Sequence, residues 1–239
     1  MSAAAALRRI PAVLTRPAAA FAGFTRKDTA WLFPAVLIAL LLVLPAQTVL
    51  RPLYLDKQQA MMEQLVDRGI LTEEKAHEVA RAVEEQKARP KPGALLWQTL
   101  LGMAIQIALR IVLPAALLLA GAVFVMEART TFAPMLAVMA YGSLPAGVRE
   151  IVRAPLQLAK GSLDVYFSPA ALTGTQGMGG FALNLLDLFD IWILALVILG
   201  VSTVTGMSRG RAAGLVLPLW GFYSLAKIGL KASPLGSWV

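Results

Sequence analysis

Residues 29–50 read TAWLFPAVLIALLLVLPAQTVL, a run of 22 residues without a charged side chain. About 20 consecutive apolar residues in a helix cross the roughly 30 Å of hydrocarbon in a bilayer. Trp31 and Phe33 stand at the start of this run, as aromatic residues do at a membrane interface. Pro34 is tolerated because it falls near the start of the helix. The pattern predicts a first membrane span over residues 28–50.

The composition excludes an ordinary soluble domain. Hydrophobic residues make up 58% of the 239 residues and charged residues 15%, whereas soluble domains carry about 45–50% and about 25%. The chain contains no cysteine and a single histidine, His77. Disulfides, thiolate metal sites and a cysteine nucleophile are therefore excluded, and a histidine-based metal cluster or Ser–His relay lacks its residues. We expect no enzyme activity, no metal and no cofactor.

Four more apolar runs extend this pattern to an all-α integral membrane fold, a five-span helical bundle. The predicted further spans cover residues 102–126, 131–148, 191–207 and 212–228. We expect the second span to follow a short interfacial helix over 93–101 and to kink at Pro114. Between residues 150 and 190 we expect helices near 151–160 and 163–172, followed by a glycine-rich hinge.

Residues 1–27 form the first segment predicted outside the spans. Leu7, Ile10 and Leu14 recur at helical spacing, with Arg8 and Arg9 between them. This pattern predicts a basic amphipathic helix that lies in the interface of an anionic membrane.

Residues 51–91 form the second such segment, with eight basic and eight acidic residues. Gly69 is placed to end a first helix and Thr72 to cap a second one, which predicts an extracytoplasmic helical hairpin. Such a hairpin is too small to bury much core by itself, so its apolar residues are candidates for partner binding. These candidates are Met62, Leu65, Val66, Val79 and Val83.

Two stretches in the second half of the chain carry a family resemblance. Residues 164–170 read DVYFSPA, and residues 184–192 read NLLDLFDIW before an apolar span that ends at Gly200. Together with SRGRAA at 208–213 and the later Trp220, they resemble the Yip domain, most clearly over residues 164–220. The resemblance makes seven residues the expected signature positions, with a structural role. They are Tyr166, Phe167, Pro169, Asp187, Phe189, Asp190 and Trp192.

The resemblance also decides a topology that the charges leave open. An N-terminus inside places eight Lys and Arg residues on the cytoplasmic side and thirteen on the other, against the positive-inside rule. The acids of the hairpin offset this excess, and the flank of the first span is basic. The resemblance to Yip-domain proteins implies five spans, a cytoplasmic N-terminus and a C-terminus on the far side of the membrane. The Ala- and Leu-rich, cysteine-free composition looks bacterial, which predicts the bacterial inner membrane.

Polar residues near the spans allow alternative interpretations. Asn184, Asp187 and Asp190 follow one another at three-residue spacing, so on one helix they would either hold a cation or proton path, or cap and solvate the start of a span. Arg110 is an intramembrane charge: it marks a functional site, with Asp187 or Asp190 as its partner, or it snorkels to the interface. The GMSRG run at 206–210 matches a nucleophile elbow, but it lacks the strand–turn–helix context and a base. We expect Gly210 and Gly214 instead to permit a tight turn and close packing of the last two spans.

The predicted function is a non-catalytic subunit that organises or stabilises a larger membrane complex, with the hairpin as docking element. Eukaryotic relatives act in vesicle traffic as membrane organisers named for Ypt/Rab GTPases, and bacterial members often occur beside export components. We expect membrane lipids and other membrane-protein subunits, such as transporter or exporter components, as partners. The basic residues are spread along span edges, so we expect no nucleic acid. The alternative is a small transporter or lipid-handling protein that uses Arg110 with Asp187 and Asp190.

Overall fold

A computed structural model describes residues 3–24, 29, 31–67, 69, 72–88, 92–173 and 177–232. These residues form helices joined by short connections, with no strand in the described ranges. The helices are α1 (Ala3–Thr15), α2 (Pro17–Phe21), α3 (Leu32–Gln47), α4 (Arg51–Asp67), α5 (Glu73–Ala88), α6 (Pro92–Ile107), α7 (Leu113–Ala120), α8 (Phe132–Gly142), α9 (Leu144–Lys160), α10 (Pro169–Thr173), α11 (Gly177–Asn184), α12 (Leu188–Thr205) and α13 (Arg209–Ala232). Two π-helical segments, Ala108–Val112 and Gly121–Val125, flank α7.

Three described helices are long and apolar enough to cross a membrane. They cover Leu95–Val125, Leu188–Thr205 and Arg209–Leu230. The first predicted span qualifies only when α3 is joined to α4, which is bent away from it by 69°. The described residues therefore contain three candidate spans, or four with the bent pair, and the count of five stays a prediction.

The third predicted span is divided between two helices. Helix α8 ends at Gly142, the chain turns at Ser143, and α9 begins at Leu144. Pro145 lies in the first turn of α9, where its missing N–H does not matter. Every residue from Pro134 to Gly142 is buried, because α8 packs between α3, α7 and α12 at the centre of the bundle. The expected single helix over 131–148 is thus replaced by a short central helix and a second helix.

The second predicted span is one long helix from Leu95 to Val125, so the separate interfacial helix expected over 93–101 is wrong. A π-helical turn directly precedes Pro114, where we expected a kink. The Leu113 N–H donates to the Ala108 carbonyl, five residues back. Because proline has no N–H and its ring crowds the carbonyl four residues earlier, the wider turn accommodates Pro114 without breaking the helix.

Glu127 ends this long helix in the left-handed region, with φ of 54°. Its conformation lets the Ala128 N–H donate to the Ala122 carbonyl at 2.8 Å, which satisfies a carbonyl of the last turn. The Arg211 guanidinium donates to the Met126 carbonyl at 3.4 Å. This bond places the start of α13 beside the end of the long helix.

Two glycines allow α8 and α12 to approach each other closely. A Cβ added at Gly142 would lie 2.9 Å from a Val197 methyl, and one at Gly200 would lie 2.7 Å from a Val138 methyl. Gly210 and Gly214, which we expected to allow close packing of the last two spans, face open space. That expectation is wrong.

The turn between α12 and α13 depends on a different glycine. Gly206 has φ of 72°, a backbone conformation that is energetically unfavourable for any residue with a Cβ. Within the GMSRG run, the Ser208 hydroxyl accepts the Arg211 N–H at 3.3 Å. This bond satisfies a backbone donor of the first turn of α13.

The N-terminal helices pack on the bundle. Val13 and Phe21 are fully buried in the main hydrophobic core, and Phe24 bridges Phe21 and Tyr141 with ring centroids 6.1 and 5.3 Å away. The Arg9 guanidinium lies 4.6 Å from the centre of the Phe24 ring. The amphipathic pattern thus faces α3, α8 and α12 with its apolar side. Placement of residues 1–27 in a membrane interface remains a prediction.

Helices α4 and α5 pack against each other. Helix α4 ends at Asp67 before Gly69, which has φ of 69°, and α5 begins directly after Thr72. Helix α4 therefore ends, and α5 begins, at the places that Gly69 and Thr72 indicated in the sequence. The extracytoplasmic position of the pair is a prediction.

Candidate functional site

The two stretches that carry the family resemblance bind each other in the structure. The Leu188 N–H donates to the Phe167 carbonyl at 3.1 Å. The Phe167 and Phe189 rings meet edge to face with centroids 5.3 Å apart, and the Ser168 hydroxyl donates to the Asn184 side-chain oxygen. The loop that contains Phe167 is therefore fastened to the start of α12.

The preceding loop is held by side chains of α9. Gln157 is buried, and its amide donates to the Leu163 carbonyl at 2.8 Å. The Lys160 ammonium donates to the Asp164 carbonyl at 2.8 Å. Residues 163–168 are thus an ordered loop, and the helix that we expected over 163–172 is wrong except for α10.

The same bonds give Tyr166 a specific environment. Its hydroxyl donates to the Asp164 carboxylate at 3.0 Å. Burial, and then this hydrogen bond, raise the pKa of the Tyr166 phenol above its usual value. Pro169 is exposed at the start of α10, where its fixed φ suits the first helical turn.

Asp187 caps α12. Its carboxylate accepts the Phe189 N–H at 2.8 Å, and Asp190 lies in the first turn, where the helix dipole favours an acid. Asn184 ends α11 instead. The three residues therefore do not share one helix face, because the chain breaks between α11 and α12. The capping interpretation of Asp187 is confirmed.

Arg149 on α9 is the residue that the sequence reasoning missed. Its guanidinium lies 3.2 Å from the Asp190 carboxylate, 3.7 Å from that of Asp187 and 3.5 Å from that of Glu150. Glu150 also pairs with Arg153 at 3.5 Å. Only 12% of the Arg149 side chain is exposed, so this ion-pair cluster is largely removed from solvent.

The signal that could have found Arg149 is the reversed amphipathicity of α9. Arg149, Arg153 and Gln157 recur every four residues and are buried or half-buried, whereas Ile151 and Leu156 on the outer face are exposed. A helix with its apolar face outward and its polar face inward is typical of contact with lipid rather than water.

Arg110 lies near this cluster without joining it. It is in the π-helical segment before α7, within electrostatic reach of Arg149, Asp190, Glu150 and Tyr223. Among the described carboxylates, those of Asp187 and Asp190 pair with Arg149, and none forms an ion pair with Arg110. The arrangement neutralises the acids at the start of α12 and leaves the charge of Arg110 uncompensated at close range.

The acids of the described residues form no group of three or more side chains that could hold a metal ion. His77 is exposed on the outer face of α5.

The family of the chain follows from a comparison over nearly its whole length. The Yip1 domain matches residues 12–228, nearly the entire length. The chain belongs to the Yip1 domain family. No curated protein matches the chain, and no solved structure does either.

Several residues of the two stretches that carry the resemblance make structural contacts. In this Yip1 domain, Phe167, Asp187 and Phe189 join the loop before α10 to the cap of α12, and Trp192 packs against the main core. With its apolar candidate spans, the chain is a membrane protein of the Yip1 family.

Proposed function

We propose that this protein is a non-catalytic subunit of the bacterial inner membrane that organises or stabilises a larger membrane complex, with the α4–α5 hairpin as its docking element. The N-terminus is cytoplasmic and the C-terminus extracytoplasmic in this proposal, as the family resemblance implies. An export machine is the kind of assembly that we favour, and its other membrane subunits are the partners.

The observation that supports the proposal is that the hairpin buries apolar residues between its own two helices. Leu65 and Val83 are buried, 5% and 2% exposed, yet lie outside the main core, and α5 has its principal contacts with α4. Gln59 donates to the Glu84 carboxylate across the two helices at 3.2 Å. The pair therefore holds itself together with its own apolar side chains.

This distribution changes which predicted residues are available to a partner. Met62, Val66 and Val79 are half-buried, and the exposed surface of α5 is lined by charged residues. The charged residues are Glu74, Glu78, Arg81 and Glu85, and His77 lies beside them. A charged surface of this kind favours specific, electrostatically steered association with a partner protein, as a docking element requires.

The alternative, a transporter or lipid-handling protein using Arg110 with Asp187 and Asp190, has less support. Both carboxylates are engaged by Arg149, and a carboxylate held by an arginine is a poor mobile carrier of protons or ions.

The test is affinity purification from the native membrane, with the partners identified by mass spectrometry. We expect deletion of residues 55–88 to abolish co-purification, and Glu74→Lys, Glu78→Lys and Glu85→Lys together to weaken it while the helices stay folded. Glu127→Lys, at an exposed acid outside the hairpin, is the control and should leave the partners bound. Unchanged partners in the deletion variant would refute the docking role.

A further inference from the structure

The long second helix and α13 together carry two cations, Arg110 and Lys227, and the exposed Tyr223. The Lys227 ammonium lies 5.3 Å from the centre of the Tyr223 ring, and Tyr223 is within electrostatic reach of Arg110. Leu215, two turns earlier on α13, packs directly on Gly121. Because the two helices run antiparallel from the Arg211–Met126 contact, Tyr223 is level with the turn that contains Arg110.

These two cations have no close counter-charge among the described residues. No described carboxylate forms an ion pair with Arg110 or Lys227. The nearby acids Asp190 and Glu150 are held by Arg149. An arginine without a counter-charge is costly near hydrocarbon, so an anion beside Arg110 would be favourable.

The side chains next to these residues are apolar and exposed. Leu109 and Leu113 beside Arg110 are 61% and 50% exposed, and Phe222 beside Tyr223 is 75% exposed. On helices that are candidate membrane spans, such side chains contact acyl chains. A ligand of Arg110, Tyr223 and Lys227 therefore has an anionic head and apolar tails.

We propose that Arg110, Tyr223 and Lys227 bind the phosphate of an anionic phospholipid. The guanidinium and the ammonium supply charge-assisted hydrogen bonds to the phosphate oxygens, and the tyrosine hydroxyl donates a third. The leucines and Phe222 contact the acyl chains. This site is separate from the hairpin, so it neither requires nor excludes the docking role.

The test is lipid retention measured by native mass spectrometry after extraction from vesicles. The vesicles contain phosphatidylcholine with or without phosphatidylglycerol. We expect the wild-type chain to retain phosphatidylglycerol selectively, and Arg110→Gln and Lys227→Gln each to lower its affinity about tenfold or more, equivalent to about 1.4 kcal/mol. Arg209→Gln, at an exposed basic residue at the other end of α13, is the matched control and should retain the lipid.

Three outcomes would overturn the proposal. One is equal lipid retention in Arg110→Gln and the wild type. Another is an equal loss in Arg209→Gln, which would indicate only general attraction of anionic lipid to basic side chains. The third is displacement of the lipid by inorganic phosphate, which would indicate a site for a free anion. Circular dichroism of each variant separates loss of the site from loss of the fold.

Discussion

The contact between α8 and α12 allows a quantitative test of the bundle. In Gly200→Ala, the new methyl group would lie 2.7 and 3.0 Å from the two methyl groups of Val138 and 3.3 Å from the Phe21 ring. Non-bonded carbons are most stable about 3.5–4.0 Å apart, so the neighbours must move by roughly 0.8 Å. Valine has no flexible end that could swing away, and Val138 and Phe21 are both fully buried.

The expected magnitude follows from a comparison of two glycines. Overpacking of a tight core costs about 1–3 kcal/mol, whereas Gly→Ala inside a helix otherwise gains about 0.5–1 kcal/mol. Gly214→Ala provides the matched control, because it is also helical but has nothing within 4 Å of the added methyl. We therefore expect Gly200→Ala to be less stable than Gly214→Ala by about 1–3 kcal/mol.

The assay is unfolding of the purified protein in mixed micelles with increasing SDS, followed by circular dichroism. A double-mutant cycle adds Val138→Ala, which removes the clashing methyl groups and alone costs roughly 1.6 kcal/mol at about 0.8 per buried CH₂. The double variant Gly200→Ala/Val138→Ala should be more stable than the sum of the single changes predicts. Equal stability of Gly200→Ala and Gly214→Ala, or strict additivity in the cycle, would refute the proposed α8–α12 packing.

Three further predictions concern the cap, the helix end and the loop. Asp187→Asn keeps a side-chain oxygen that accepts the Phe189 N–H and loses only the ion pair with Arg149. Asp187→Ala should therefore be less stable than Asp187→Asn by about 1 kcal/mol in the same SDS assay. Equal stability of the two variants would contradict the capping role. Glu127→Gly should gain about 0.5–1 kcal/mol, because a left-handed φ of 54° penalises every residue with a Cβ; the matched Glu127→Ala should show no such gain. The folded protein favours the neutral form of Tyr166, whose pKa is raised. The resulting contribution to stability is complete below the ordinary tyrosine pKa of about 10. It is lost as the pH rises through the raised pKa of the folded state. Asp164→Asn should lower that pKa, as measured by tyrosinate absorbance against Tyr166→Phe, and an unchanged titration would argue against the bond.

Local sequence was sufficient wherever the deciding interaction is local. The uncharged runs indicated helices that the structure contains as α3, α12, α13 and the long helix from Leu95 to Val125, because the cost of placing charges in lipid acts on each segment by itself. Helix ends at Gly69 and Thr72 were predicted for the same reason: a left-handed φ or a missing backbone partner depends on a few neighbouring residues.

Features that depend on a distant partner were decided by the tertiary structure. Arg149 became the partner of Asp187 and Asp190 because α9 turns its polar face inward beside α12. Arg149 lies more than 35 residues before both acids in the chain. Gly142 and Gly200, rather than Gly210 and Gly214, allow close helix approach because only the first pair faces a neighbour. Sequence alone determined which segments form apolar helices; packing decided which charges, glycines and apolar faces meet, because those contacts follow from the relative positions of whole helices.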